Sequence, residues 1–165
     1  MKRIFVDIDR CLGCRSCEIA CAIQHADGKN LLSFIKSTPR QKPRLKVQGD
    51  RERIFPLQCR HCEEPFCVNA CIAGGITKDP KSGLVTMDED KCVGCWTCVM
   101  VCPFGVIRPD KEGKIAVRCD LCQDEKEPAC VIACPTGALF FGELEEFKKL
   151  LKERTKKEKV VSSKI

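Results

Sequence analysis

The sequence has no tyrosine, one tryptophan and two histidines. It also has no run close to the ~20 consecutive apolar residues that a membrane span needs, which excludes a direct span. The N-terminus, Met1-Lys2-Arg3-Ile4-Phe5-Val6-Asp7, carries charge where a secretory signal needs an apolar stretch, and there is no twin-arginine signal. A cytoplasmic location is expected. No phosphate loop, no GxGxxG and no recognisable pair of catalytic carboxylates is present, so no catalytic residue is assigned and a non-enzymatic role is expected. Ordinary core material is scarce as well. Hydrophobic residues are 44% of the 165, but the cysteines are inside that count. For one domain of this length, apolar burial alone is too lean.

What is abundant is cysteine, 16 residues, a density at which a short chain is built on disulfides or metal. In a reducing cytosol the pattern reads as metal-binding. The cysteines fall into four groups of four: Cys11, Cys14, Cys17, Cys21; Cys59, Cys62, Cys67, Cys71; Cys92, Cys95, Cys98, Cys102; and Cys119, Cys122, Cys130, Cys134. The first and third groups follow C-x2-C-x2-C-x3-C. The second stretches the middle gap to four residues and the fourth to seven. Three cysteines in one tight loop reach three irons of a cubane. The fourth, a helical turn further on, ligates a different cluster, as in two-cluster ferredoxins. Sixteen thiolates with none left over make four [4Fe–4S] sites. The alternative is a zinc-binding interaction module, but zinc takes its thiolates from separated C-x2-C knuckles and has no use for the third and fourth cysteines of such a run.

Along the chain, residues 2–8 alternate as a strand and residues 17–25 should be helical. Residues 22–58, with the basic run 40–46, read as a docking loop with a possible strand at 44–47. Hairpins are expected over 76–87, turning at 79–83, and over 106–117, turning at 109–113, with a last strand at 138–141. The recurring unit is strand, cysteine loop, short helix, strand. The fold class is therefore α+β: two ferredoxin-like modules, each binding two [4Fe–4S] clusters, followed by a C-terminal helix. The double module spans 1–142, with an outer module from 1–30 plus 115–142 and an inner one from 55–110. Residues 143–165 form an amphipathic helix, with Leu144, Phe147, Leu150 and Leu151 on one self-packing face, and a basic tail frayed from Lys156.

The chain resembles the four-cluster iron–sulfur electron-transfer subunits of the dimethyl sulfoxide reductase and formate dehydrogenase type. It looks nearest to the short soluble branch beside carbon monoxide dehydrogenases, hydrogenases and tungsten aldehyde oxidoreductases. The residues that carry this are Cys11-Leu-Gly-Cys-Arg-Ser-Cys-Glu-Ile-Ala-Cys21, Pro56-Leu-Gln-Cys-Arg-His-Cys62, Cys92-Val-Gly-Cys-Trp-Thr-Cys98 with Cys102-Pro-Phe-Gly105, and Arg118-Cys-Asp-Leu-Cys122 with Ala133-Cys-Pro-Thr-Gly137. The resemblance implies the pairing of groups. Cluster 1 takes Cys11, Cys14, Cys17 and Cys134; cluster 2 takes Cys119, Cys122, Cys130 and Cys21. Cluster 3 takes Cys59, Cys62, Cys67 and Cys102; cluster 4 takes Cys92, Cys95, Cys98 and Cys71. It also implies a relay of electrons between a large catalytic oxidoreductase subunit and an external acceptor such as a ferredoxin. Some relatives replace a ligand cysteine with tryptophan, but Trp96 is not at a ligand position.

The formal net charge is +6. Each oxidised cluster with its thiolates carries about −2, so four of them bring the total to about −2. The excess of lysine and arginine is thus an offset to the clusters rather than a nucleic-acid surface. Arg10, Arg15, Arg60, Lys91 and Arg118 adjoin ligands, and some of them should raise the potential of the nearest cluster. Gly13 and Gly94 lie where the backbone must come close to sulfide, with positive φ. His61 is expected to be a partly exposed loop residue, His25 a helix-surface residue, and Trp96 a space-filler over a cluster or at an interface.

Overall fold

The computed structural model describes residues 1–50 and 52–162. Strand β1 (Arg3–Val6) leads through a short 3-10 turn into the first cysteine loop. The last strand, β8 (Leu139–Gly142), pairs with it antiparallel, Arg3 opposite Gly142 and Val6 opposite Leu139. This pairing closes the two ends of the chain on each other. Helix α1 (Ser16–Gln24) follows the first loop and packs against α5 (Ala129–Ile132), which opens after Pro128 in the fourth group. Helix α3 (Phe66–Asn69), opening after Pro65, packs against α4 (Thr97–Val101) in the same way. The two expected hairpins form: β4 (Ile76–Lys78) with β5 (Val85–Met87), and β6 (Arg108–Pro109) with β7 (Ala116–Val117).

Residues 22–58 are more ordered than a docking loop. Helix α2 (Leu31–Lys36) is capped by the Asn30 side chain, which accepts the Ser33 N–H at 2.9 Å. The strand foreseen at 44–47 is β2 (Lys46–Gly49), and it pairs with β3 (Ile54–Leu57) in an unforeseen hairpin. The basic run folds back on the body: Lys42 donates to the Asp110 carbonyl at 3.0 Å and Arg44 to Asp120 at 2.6 Å. Arg40 and Lys46 of the same run stay exposed.

Two cores form, and cysteine is part of both. One joins Cys17, Cys21 and Cys130 to Leu45, Val47 and Leu139. The other joins Cys98 to Ile76, Val85, Ile107 and Ala116. Helix α6 (Leu144–Ser162) lies against the β1–β8 sheet. Phe147 stacks on Phe5 (5.1 Å) and Phe140 (5.8 Å), and Arg154 reaches Asp7 at 2.7 Å and the Gly137 carbonyl at 3.0 Å. The expected apolar face packs through Phe147, while Leu144 remains 48% exposed. The tail foreseen as frayed from Lys156 continues the helix to Ser162; residues 163–165 lie outside the described residues.

Candidate metal centre

No disulfide joins any of the sixteen cysteines. Their loops share one backbone device. The residue before the second cysteine of each group has a left-handed φ: Gly13 (+64°), His61 (+46°), Gly94 (+66°) and Leu121 (+61°). Arg15 and Trp96, one residue after the second cysteine in groups one and three, repeat it at +61°. Alternating right- and left-handed residues form the nest in which successive N–H groups face an anion. For histidine, leucine, arginine and tryptophan the conformation costs ~1 kcal/mol or more each. Such strain persists where the surrounding structure requires it. At Gly94 a Cβ would collide with the Lys114 carbonyl oxygen, so glycine is needed there on two counts.

The thiols of distant groups come together. One concavity is lined by Cys11, Cys14, Cys17 and, from the far end of the chain, Cys134. A second is lined by Cys71, Cys92, Cys95 and Cys98, with Trp96 in its wall. Burial raises the Cys67 thiol, and Cys59, Cys102 and Cys62 push it further, so these four share one local field. Burial also pushes Cys119 well above the usual thiol value, with Cys130 and Cys21 adding to it, and Cys122 feels burial and Cys21.

Burial raises Cys17 to about 11 and Cys130 further still. Thiols like these do not ionise alone at neutral pH; a cationic centre that several thiolates share is what lets them. At Cys134 burial also opposes the thiolate, but hydrogen bonds from the Leu139, Thr136 and Ala138 backbone, with the Thr136 hydroxyl, outweigh it and lower the value. The donor set, four thiols per site among backbone N–H groups, therefore fits an iron–sulfur cluster.

Around Cys21 lies a polar network that sequence reasoning missed. The Arg44 backbone N–H donates to Cys21 Sγ at 3.2 Å, and its guanidinium donates to Asp120 at 2.6 Å. Asp120 in turn accepts the Cys122 N–H at 3.0 Å. His25 is not a surface residue. Its Nδ1 lies 2.8 Å from the Cys21 carbonyl oxygen and its Nε2 3.2 Å from Asp120. Burial disfavours the imidazolium, yet hydrogen bonds to Asp120 and Cys21 win and raise its pKa to about 9. Asp120, an acid inside a cysteine loop, carried a weak sequence signal; Arg44, in a long intervening segment, carried none.

His61 also departs from expectation. It is 1% exposed, because its ring turns inward and its Nδ1 accepts the Val85 N–H at 3.2 Å. Burial and the nearby Arg118 charge lower its pKa to about 4, so the ring is neutral. Its Nε2 is buried without a hydrogen-bond partner.

A strand-and-helix scaffold whose buried centres are thiols defines a protein built around metal clusters. The profile of the 4Fe-4S dicluster domain matches residues 51–144, and that of the 4Fe-4S binding domain matches residues 8–23. Among curated proteins, the chain is 36% identical to an iron-sulfur protein of Rhodospirillum rubrum, over 94% of this chain and 89% of that one. It is 34% identical to the electron transport protein HydN of Escherichia coli K12, over 93% and 95%. With the iron-sulfur subunit of the nitrate-inducible formate dehydrogenase of the same strain it shares 33% identity, covering 92% of this chain and 58% of that one. The chain belongs to the 4Fe-4S dicluster-domain family of iron–sulfur electron-transfer proteins, and its cofactors are iron–sulfur clusters. No described helix is long and apolar enough to cross a membrane.

Proposed function

We propose that this chain is a non-catalytic, cytoplasmic subunit that relays single electrons through four [4Fe–4S] clusters. The donor or acceptor on one side is a large catalytic oxidoreductase subunit of the tungsten aldehyde oxidoreductase, carbon monoxide dehydrogenase, formate dehydrogenase or hydrogenase type. On the other side is an external acceptor such as a ferredoxin. The names of the relatives, an electron transport protein and a formate dehydrogenase subunit, support this reading.

The ligand sets we propose are Cys11/Cys14/Cys17/Cys134, Cys119/Cys122/Cys130/Cys21, Cys59/Cys62/Cys67/Cys102 and Cys92/Cys95/Cys98/Cys71. The observation that carries them is the meeting of thiols from sequence-distant groups, Cys134 with Cys11 and Cys71 with Cys92, with no cysteine to spare. The first two sets belong to an outer module built on β1, β8, α1 and α5. The other two belong to an inner module around α3 and α4.

A [4Fe–4S] cluster supplies a one-electron carrier that changes little between its two states. The protein does the rest. Cys17, Cys98, Cys119 and Cys130 are buried and keep water from the cages, while Cys14 and Cys95 are exposed. One thiol of the first set and one of the last are thus exposed, which gives each of these two cages a face near the surface. The test is an anaerobic dithionite titration followed by EPR. Four one-electron centres and co-purification with a larger subunit support the reading; a colourless protein holding zinc without sulfide overturns it.

A further inference from the structure

Five cations adjoin cysteines of the proposed cages: Arg10, Arg15, Arg60, Lys91 and Arg118. Four are exposed, where water and salt screen them. Of these, Arg60 lies over the Phe104 ring at 4.4 Å, and Lys91 pairs with Asp88 at 3.0 Å. Arg118 is different: it is 4% exposed. Its backbone precedes Cys119, yet its side chain runs back to the second group, placing Nη1 3.6 Å from Cys59 Sγ. Its charge acts on Cys67 as well. Among the described residues it forms no ion pair with a carboxylate, and its Nε is buried without a partner.

A guanidinium out of water needs a counter-charge close by. His61 cannot provide one. With Nδ1 accepting from Val85, its proton sits on Nε2 and the ring is neutral. Asp120 is already engaged by Arg44 and His25. Among the described residues, the groups placed to balance Arg118 are the sulfurs of Cys59 and Cys67.

We propose that the Arg118 guanidinium is the fixed counter-charge of the Cys59/Cys62/Cys67/Cys102 cage and raises the midpoint potential of the cluster held there. This rests on the ligand assignment above. One-electron reduction adds one negative charge to the cage, with no proton gained and no bond changed. A buried, unscreened cation at thiolate distance stabilises that added charge; the four exposed cations do so far less. The sequence names five candidates equally, and burial singles out one.

The experiment uses the full chain, purified anaerobically, with iron and sulfide measured first. Midpoints are read by EPR with dithionite as reductant, and the signal altered by Cys67→Ser assigns the cage. In Arg118→Gln that signal's midpoint falls by the equivalent of about tenfold in the reduced-to-oxidised ratio, 59 mV for one electron. Arg118→Lys stays within about threefold of the parent, and Arg10→Gln moves nothing. Normal iron with all midpoints unmoved in Arg118→Gln overturns the proposal, as does an equal fall in Arg118→Lys. If Arg118→Gln yields no loaded protein, the parent chain labelled with 15N-arginine decides. A guanidinium 15N coupling on the assigned signal supports the proposal, and its absence overturns it. A parent chain without iron overturns the ligand assignment and this proposal with it, whereas unmoved midpoints in a loaded Arg118→Gln chain overturn the proposal alone.

Discussion

Cysteine here is part of the core and, on the proposed assignment, the ligand as well. Cys119 and Cys130 are as buried as the leucines around them, and a buried thiolate needs positive charge supplied locally. The proposed exchange of fourth cysteines between groups makes this testable one side chain at a time. Cys14→Ser and Cys134→Ser should each remove about four irons per chain, and the double variant should remove no more than either. Pairing Cys134→Ser with Cys122→Ser should instead remove about eight. Iron analysis of the purified variants reads this directly; additive losses in the first double variant would contradict the exchange. Gly94→Ala tests the loop backbone. The strained φ and the clash with the Lys114 carbonyl should open the loop and lower iron content by about four per chain, seen in the same assay.

At the scale of elements, Phe147 and Arg154 attach α6 to the body through ring stacking, an ion pair and a hydrogen bond. Phe147→Ala removes a ring that is 8% exposed and stacked between two others, and should cost about 3 kcal/mol in thermal unfolding. Arg154→Ala leaves Asp7, 8% exposed, without its partner. Because the arginine itself is partly solvated, the expected loss is about 1–2 kcal/mol. Neither substitution touches a proposed ligand, so iron content should be unchanged in both; a loss of iron would mean that the helix supports the cages.

The hairpins around Asp79–Gly83 and Asp110–Gly113 were legible because their turn residues punctuate alternating segments. Helix α2 was not, because it is six residues long, buries none of them and depends on a cap from Asn30. Strand β3 was hidden by Pro56, which argues against a strand, but a two-stranded ribbon leaves its missing N–H on an open edge. Membership of each cysteine group was readable from spacing. The partner of each group was not, since contacts such as Cys11 with Cys134 depend on the β1–β8 pairing that closes the chain. The inward turn of His61 and the reach of Arg118 back to Cys59 have no periodic signature at all.

Over the whole molecule, two small cores share a chain of 165 residues, and thiols fill the places where larger proteins put leucine and phenylalanine. Folding and metal loading should therefore be one process. Removing the clusters by oxidation and chelation should abolish cooperative thermal unfolding and increase amide exchange in α1, α3, α4 and α5. The β1–β8 sheet, held also by α6, should keep the most protection. An apo chain that melts cooperatively at the holo temperature would show that apolar burial is sufficient.

The most direct measurement is iron and acid-labile sulfide per chain in anaerobically purified protein, with zinc determined in the same sample. About sixteen iron and sixteen sulfide are expected, with zinc absent. Iron near eight would leave two cages unfilled, and stoichiometric zinc without sulfide would contradict the account altogether.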